Sequence, residues 1–177
     1  PLIFEVRGLE TEKYQGAGVG CIIHCEGGDV IVPNYTSAYA VDKEGKEIAR
    51  WKGAVDHFEN FIQAVRSRKV ADLHSDILEG HLSSALCHTG NISYRLGQRS
   101  SPDAVRESLA DYKGMEETVG RMMEHLGQNG VDPAKDLVTV GQPLRMDPAT
   151  EVFHDNEVAN ALASRNYREP YVVPAIG

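Results

Sequence analysis

The sequence predicts an α+β fold, in which an open, mainly antiparallel β-sheet carries helices on one face. Two observations predict it. The first fifty residues alternate β-rich stretches with turns that contain glycine or aspartate, which is typical of consecutive antiparallel strands. After Gly53 the apolar residues recur at helical spacing instead. Strands followed by helices in this order are characteristic of the α+β class.

Four or more strands are expected before Gly53. The glycine pair Gly27 and Gly28 predicts a hairpin, because glycine supplies the positive φ of a tight turn. The segment Asp42–Gly45 has the Asp and Gly content of a second turn. The predicted strands cover residues 2–6, 18–26, 29–34, 38–41 and 46–51.

Four helices are expected after Gly53. In the first, Asp56 lies near the positive end of the helix dipole and Arg66 near the negative end. Ser75 and Gly97 bound the second helix as cap and stop. The predicted helices cover residues 55–68, 75–97, 114–129 and 156–164. We expect one domain over residues 1–177, in which the proline-punctuated residues 131–177 form an extended tail that wraps the core.

Composition limits the function classes. The net charge of −8 argues against a nucleic-acid-binding surface. No apolar run approaches the roughly 18–20 residues of a membrane span, so we expect a soluble chain that is cytoplasmic by default, although an exported parent protein stays open. Cysteines at positions 21, 25 and 87 match no zinc or redox spacing. They are expected to be buried free thiols.

The second helix is expected to be buried apart from a polar stripe, which supplies the candidate site residues. Helical periodicity places His81, His88, Asn91 and Arg95 on one face of that helix. Two interpretations stay open: the stripe forms a satisfied internal hydrogen-bond network, or it lines a substrate pocket. The two histidines lie seven residues apart, which is too far for one metal ion, so no metal site is predicted.

Other motifs are weaker. The glycines of residues 16–20 resemble a dinucleotide loop, but they lead into a β-rich run and not into a helix. Cys87 and His88 are a poor nucleophile and base, because neighbouring residues on a helix point about 100° apart. No Gly-x-Ser-x-Gly elbow is present. The residues alone therefore assign no catalytic and no cofactor-binding position.

Several separated segments resemble one known family. The segments are Asp56–Arg68, Asp76–His81 and His88–Gly97, together with the hairpin Ile22–Gly28, the segment Val32–Ser37 and the closing Tyr167–Pro174. They are similar to the C-terminal domain of bacterial Gfo/Idh/MocA-type oxidoreductases, whose sheet domain is of the dihydrodipicolinate-reductase-like kind.

The resemblance implies a two-domain parent enzyme. Its N-terminal Rossmann domain would bind NAD or NADP, and this C-terminal domain would shape the pocket for a small carbohydrate-like substrate, a sugar or polyol. The resemblance also implies a homo-oligomer through the open sheet face. The family's Asp-and-His catalytic pair and its cofactor-side lysine match no position here, so His81 and His88 receive no catalytic role.

The sequence supports two functions of different classes. The first is the substrate-binding and oligomerisation domain of an NAD(P)-dependent oxidoreductase, inactive alone because the Rossmann domain is absent from this segment. The alternative is a stand-alone, non-catalytic binding or assembly module with the same fold. A metal-dependent hydrolase is disfavoured because ligand spacing is missing. The chain begins at Pro1 without an initiator Met, which is expected of an excised segment.

Overall fold

A computed structural model describes residues 1–173 of the chain. It has an α+β architecture with a mainly antiparallel sheet, as predicted. The main sheet has four strands in the order β1-β2-β3-β4, and every neighbouring pair is antiparallel. The strands are β1 (Cys21–Cys25), β2 (Gly28–Asn34), β3 (Ser37–Asp42) and β4 (Glu47–Lys52). Both predicted hairpin turns are confirmed.

The two faces of the main sheet differ in chemistry. Paired residues of adjacent strands point to the same side, and successive residues alternate. One face holds the polar contacts: His24 Nδ1 lies 2.8 Å from Asp29 Oδ1, and the Arg50 guanidinium lies 4.9 Å from the ring centre of Tyr39. The opposite face is the apolar sheet face. Its members by register are Cys21, Ile23, Cys25, Val30, Val32, Ala38, Ala40, Ala49 and Trp51, with Gly28 and Asp42 at one end. The first face also carries Ile22, Ile31 and Val41.

The prediction of a strand over residues 2–6 is wrong. No strand pairs with this segment among residues 1–173. Its apolar side chains Leu2, Phe4 and Val6 are exposed, while Glu5 and Arg7 form an ion pair at 2.9 Å. The β-forming residue types are present, but the backbone has no adjacent strand with which to form a ladder.

Helix α1 (His57–Ser67) follows the sheet within one residue or two of its predicted limits. Asp56 caps it, because its Oδ1 accepts hydrogen bonds from the N–H groups of Phe58 and Glu59, each at 3.0 Å. The buried Asn60 fixes the chain that follows the helix. Its Nδ2 donates to the carbonyl of Asp72 at 2.7 Å, and its Oδ1 accepts from the N–H of His74 at 3.1 Å.

The remaining elements begin with α2 (Ile77–Arg95), which confirms the second predicted helix. The later predicted helices are also present, as α4 (Met115–Gln128) and α6 (Glu157–Ala163). Helix α3 (Pro102–Leu109) was not predicted, although Ser101 caps it and Pro102 occupies its first turn, both standard start signals. In order the elements are β5 (Gln98–Ser100), α3 (Pro102–Leu109), α4 (Met115–Gln128), α5 (Pro133–Asp136), β6 (Val138–Val140), β7 (Met146–Asp147), β8 (Val152–Phe153) and α6 (Glu157–Ala163).

Part of the core after residue 77 gathers around Phe153, which is 2 % exposed. Ile92 of α2 and Ala159 of α6 complete the buried cluster, and partly buried side chains pack around it.

Helix α2 contacts the segment that follows β6 at close range. Ser93 Oγ donates to the carbonyl of Gln142 at 2.8 Å, and a Cβ at Gly141 would lie 2.4 Å from Ser93 Oγ. A Cβ at position 141 would therefore require the Ser93 hydroxyl to turn away and the backbone of Ser93 to shift slightly.

Two burial predictions are wrong. Helix α2 was expected to be a buried helix, but Ile92 is its one buried residue, and Ile77 and Leu86 are 88 % and 59 % exposed. The three cysteines are free, as predicted, yet all are exposed and not buried. The sequence pattern marks a face as apolar, but it does not specify what covers that face.

Contacts divide the chain into two compact units, one over Leu2–Asp76 and the other over Ile77–Gly177 with Pro1. The single domain expected over residues 1–177 stays a prediction. So does the wrapping course of residues 131–177, whose last four residues lie outside the described part of the chain. Over residues 1–173, the helices all fall short of the length or the apolar character that a membrane crossing requires.

Candidate functional site

The four candidate residues lie along one exposed side of α2. His81 stands at its start, His88 in its middle, and Asn91 and Arg95 near its end. A rise of 1.5 Å per residue separates the two histidines by about 10 Å along the axis. Within residues 1–173, His88, Asn91 and Arg95 make no side-chain hydrogen bond. The stripe is therefore not a satisfied internal network along its whole length.

His81 has a specific partner. Its Nε2 makes a short hydrogen-bonded contact with Glu151 Oε1, seventy residues away in the chain, and both side chains are about half exposed. This pair joins the first turn of α2 to the turn between β7 and β8. A carboxylate against one ring nitrogen orients the imidazole. The other ring nitrogen is then directed away from the carboxylate.

The turn that carries Glu151 is firmly built. Asp147 Oδ1 accepts the N–H of Ala149 at 2.8 Å, and the carbonyl of Asp147 accepts the N–H of Glu151 at 2.8 Å. The hydrogen bond from Ala149 holds the pKa of Asp147 below its ordinary value, and contacts with Thr150 and His154 act in the same direction. Glu151 itself has a φ of 56°. Its position opposite His81 thus depends on local backbone geometry.

Two clefts lie elsewhere, and none of the four candidates lines either. One cleft, of about 330 Å³, follows the end of α2 where Gln98 and Gln142 face Ser100 and the backbone of Gly97 and Gly141. Its polar groups are amides, a hydroxyl and backbone groups, which suit an uncharged hydrogen-bonding ligand. The sequence reasoning missed it, because residues 96–100 and 140–142 meet only in the fold.

The other cleft, of about 560 Å³, lies at one end of the main sheet. Asn34 organises it: its Oδ1 accepts from the N–H and hydroxyl of Thr36, at 2.9 and 3.1 Å, and from the hydroxyl of Ser37 at 3.1 Å. Lys52 lies opposite Ser37 in the β3–β4 register and adds a positive charge. This cleft is open and shallow, and no sequence motif marks it.

In the part of the chain that the structure describes, the residues fit neither a metal ion nor a nicotinamide nucleotide. Among residues 1–173, no three His, Cys, Asp or Glu side chains are arranged to hold a metal. In the same range no strand leads through a glycine-rich loop into a helix, since the glycines of residues 16–20 precede β1. A dinucleotide site needs that strand, loop and helix, so no chemical step through NAD or NADP is derived for this chain.

The ion pair between Glu47 and Arg50 of β4 lies on the surface of the main sheet. Arg50 Nε donates to Glu47 Oε1 at 2.7 Å, and a second, shorter bond joins the same two side chains. The hydrogen bonds hold the pKa of Glu47 below its ordinary value and raise that of Arg50. Both groups stay charged and point to solvent, which is the behaviour of a surface pair on β4.

Comparisons of the chain with protein-family models, with curated proteins and with solved structures find no match.

Proposed function

We propose that the chain is the C-terminal substrate-binding and oligomerisation domain of a Gfo/Idh/MocA-type oxidoreductase. The parent enzyme would act on a sugar or polyol by NAD(P)-linked hydride transfer, and the chain alone would be inactive. The order of elements supports this. The four strands β1 to β4 precede helices α1 and α2, and this sheet-then-helix order is the one on which the resemblance to the family depends. In the assembled enzyme, helices would cover one face of the sheet, in the dihydrodipicolinate-reductase-like manner.

Exposed apolar surface is the observation that carries the proposal. Leu78, Leu82 and Leu86 of α2 are 56 %, 50 % and 59 % exposed, and their four-residue spacing places them on one side of the helix. Contiguous apolar surface of this kind marks an interaction site in a soluble protein. A second domain that covers this helix, as the Rossmann domain of a two-domain enzyme would, accounts for them. An independent domain would bury them in its own core.

The polar stripe of α2 would then contribute to the substrate pocket. His81 is oriented by Glu151, while His88, Asn91 and Arg95 present donors and acceptors that no described residue uses. Sugars and polyols are recognised by such side chains. These residues would bind and orient hydroxyl groups, and the catalytic pair and the nicotinamide would come from the other domain.

Cofactor binding tests the two-domain proposal. The isolated chain is expected to show no saturable NADH binding by titration calorimetry, whereas the chain joined to the product of its upstream reading frame should bind NADH. An upstream βα unit with a glycine fingerprint supports the proposal. Micromolar NADH binding by the isolated chain would contradict it, and an initiator Met directly before Pro1 would favour the module.

Oligomerisation through the apolar sheet face has its own test. Cys21 and Cys25 lie on that face, and Cys87 lies on α2 as a matched reference. If copies pair through the sheet, maleimide should label Cys21 and Cys25 slowly at high protein concentration and faster after dilution, with Cys87 unchanged. Equal labelling of all three thiols at every concentration contradicts pairing by this face.

The alternative function is a non-catalytic binding or assembly module. One observation favours it: none of the four candidate residues lines either of the two clefts described above. A module would use the exposed helices and the sheet for protein contacts and would need no reaction centre. It is distinguished by a parent reading frame that encodes no nucleotide-binding domain.

A further inference from the structure

Helix α1 presents one wholly apolar side. With 3.6 residues per turn, Phe58, Phe61, Ile62 and Val65 point in the same direction, and they are 73, 61, 48 and 42 % exposed. The opposite side is already occupied, because Asn60 is buried and bonds the backbone of Asp72 and His74. The anchored polar side fixes the helix so that its apolar side, here called the α1 stripe, faces outward.

Two opposite charges flank the α1 stripe on the same side. Glu59 stands near the start of the helix, and Arg66 stands seven residues later, almost two full turns along. Gln63 Nε2 donates to Glu59 Oε1 at 3.0 Å, which keeps this carboxylate on the flank. Arg66 makes no ion pair within residues 1–173. Along this flank the charge therefore changes from negative to positive.

We propose that the α1 stripe binds the same stripe of a second copy of this chain, with the two helices antiparallel. In an antiparallel pair each flank meets the identical flank of the other helix in reversed order. Phe58 of each copy then lies near Val65 of the other at the ends of the stripe, and Phe61 and Ile62 of both copies meet at its centre. On the flank, Glu59 of each copy lies near Arg66 of the other. In a parallel two-fold pair this flank would meet the opposite flank of the other helix, so Glu59 and Arg66 would not face each other. Only the antiparallel arrangement, with its two-fold axis, pairs these two charges.

The buried area sets the strength of the pair. Exposed aromatic and aliphatic side chains of these sizes supply roughly 450 Å² from each copy, or about 900 Å² together. Val55, Glu59 and Arg66 at the rim bring the total toward about 1,200 Å², the lower limit of specific interfaces. The pairing is therefore concentration-dependent, and it does not rest on the proposed enzymatic function.

Charge reversal in the chain of 177 residues tests the pairing. Glu59→Lys gives a flank with two positive charges, and Arg66→Glu gives a flank with two negative charges. Each variant alone should dimerise about tenfold more weakly than the wild type, because like charges meet twice. A one-to-one mixture should recover the affinity as a mixed dimer. Light scattering over a concentration series measures the affinity, and native mass spectrometry with one variant isotopically labelled identifies the mixed species.

Trp51→Lys on the apolar sheet face is the matched control, since it impairs association through the sheet and leaves the α1 pair intact. Circular dichroism verifies that all variants fold. Recovery only in the mixture supports the antiparallel pair. Unchanged dimerisation of each variant alone, a mixture no tighter than its components, or a wild type that is monomeric at all concentrations overturns it. The last result would leave the stripe to a different partner, such as the second domain of the parent enzyme.

Discussion

Asn160 bonds the backbone of one residue, Phe153, with both halves of its side-chain amide. Its Oδ1 accepts the N–H of Phe153 at 2.7 Å, and its Nδ2 donates to the carbonyl of Phe153 at 2.9 Å. The amide thus takes the place of a neighbouring strand along β8. Because Phe153 is the centre of the buried cluster, this contact fixes the core to α6.

We expect Asn160→Ala to lower the free energy of unfolding by about 1–3 kcal/mol, because it leaves two partly buried backbone groups unsatisfied. Urea denaturation followed by circular dichroism measures the change. Asn166→Ala is the matched control, since Asn166 is exposed, and it should change stability by less than about 0.5 kcal/mol. Equal effects of the two substitutions would show that the Phe153 contact contributes nothing.

A second prediction concerns the first hairpin. Gly28 has a φ of 146°, and a Cβ there would lie 2.0 Å from the carbonyl oxygen of Val41. Gly28→Ala should therefore cost about 1–3 kcal/mol or more, because the backbone of β2 or β3 must move. Gly27 has no heavy atom within 4 Å of such a Cβ, so Gly27→Ala is expected to be mild. Chemical denaturation of both variants measures the loss in the free energy of unfolding. Equal losses for the two variants would be inconsistent with this geometry.

Gly28 and Asn160 show which structural features the sequence can predict and which it cannot. The paired glycines predicted the hairpin, because a local turn needs residues that adopt positive φ. Asp56 likewise marked the start of α1, since a cap acts within three residues. The bond between Asn160 and Phe153 joins α6 to a two-residue strand that has no periodicity of its own, so no pattern in the sequence predicted it.

The candidate site was likewise predicted only in part. Helical periodicity correctly placed His81, His88, Asn91 and Arg95 on one side of α2. It could not predict Glu151 as the partner of His81, because that contact spans seventy residues and requires the tight turn after β7. Nor could it predict exposure, since burial of an apolar face depends on the partner that covers it.

The His81–Glu151 pair leads to a third prediction. Both side chains are about half exposed, so solvent screens their attraction, and a double-mutant cycle with His81→Gln and Glu151→Gln should give a coupling of about 0.2–1 kcal/mol at pH 6. Denaturation of the four proteins in low salt measures it. High salt should reduce the coupling. A coupling above about 2 kcal/mol would indicate a pair that is shielded from water.

The fourth prediction concerns acid sensitivity. The hydrogen bond from Ala149 holds the pKa of Asp147 below its ordinary value, so the folded chain binds this proton more weakly than the unfolded chain does. The resulting stabilisation is fully present above the unfolded pKa, near pH 4, and it is lost as the pH falls through the lower folded pKa. Asp147→Asn removes the titrating group and retains an oxygen that can accept from Ala149. The variant should therefore be less stable than the wild type at pH 6, and the difference should shrink as the pH falls below about 4. Urea midpoints measured across this range test it, and a difference that stays constant down to the lowest pH would show that the turn does not lower the pKa.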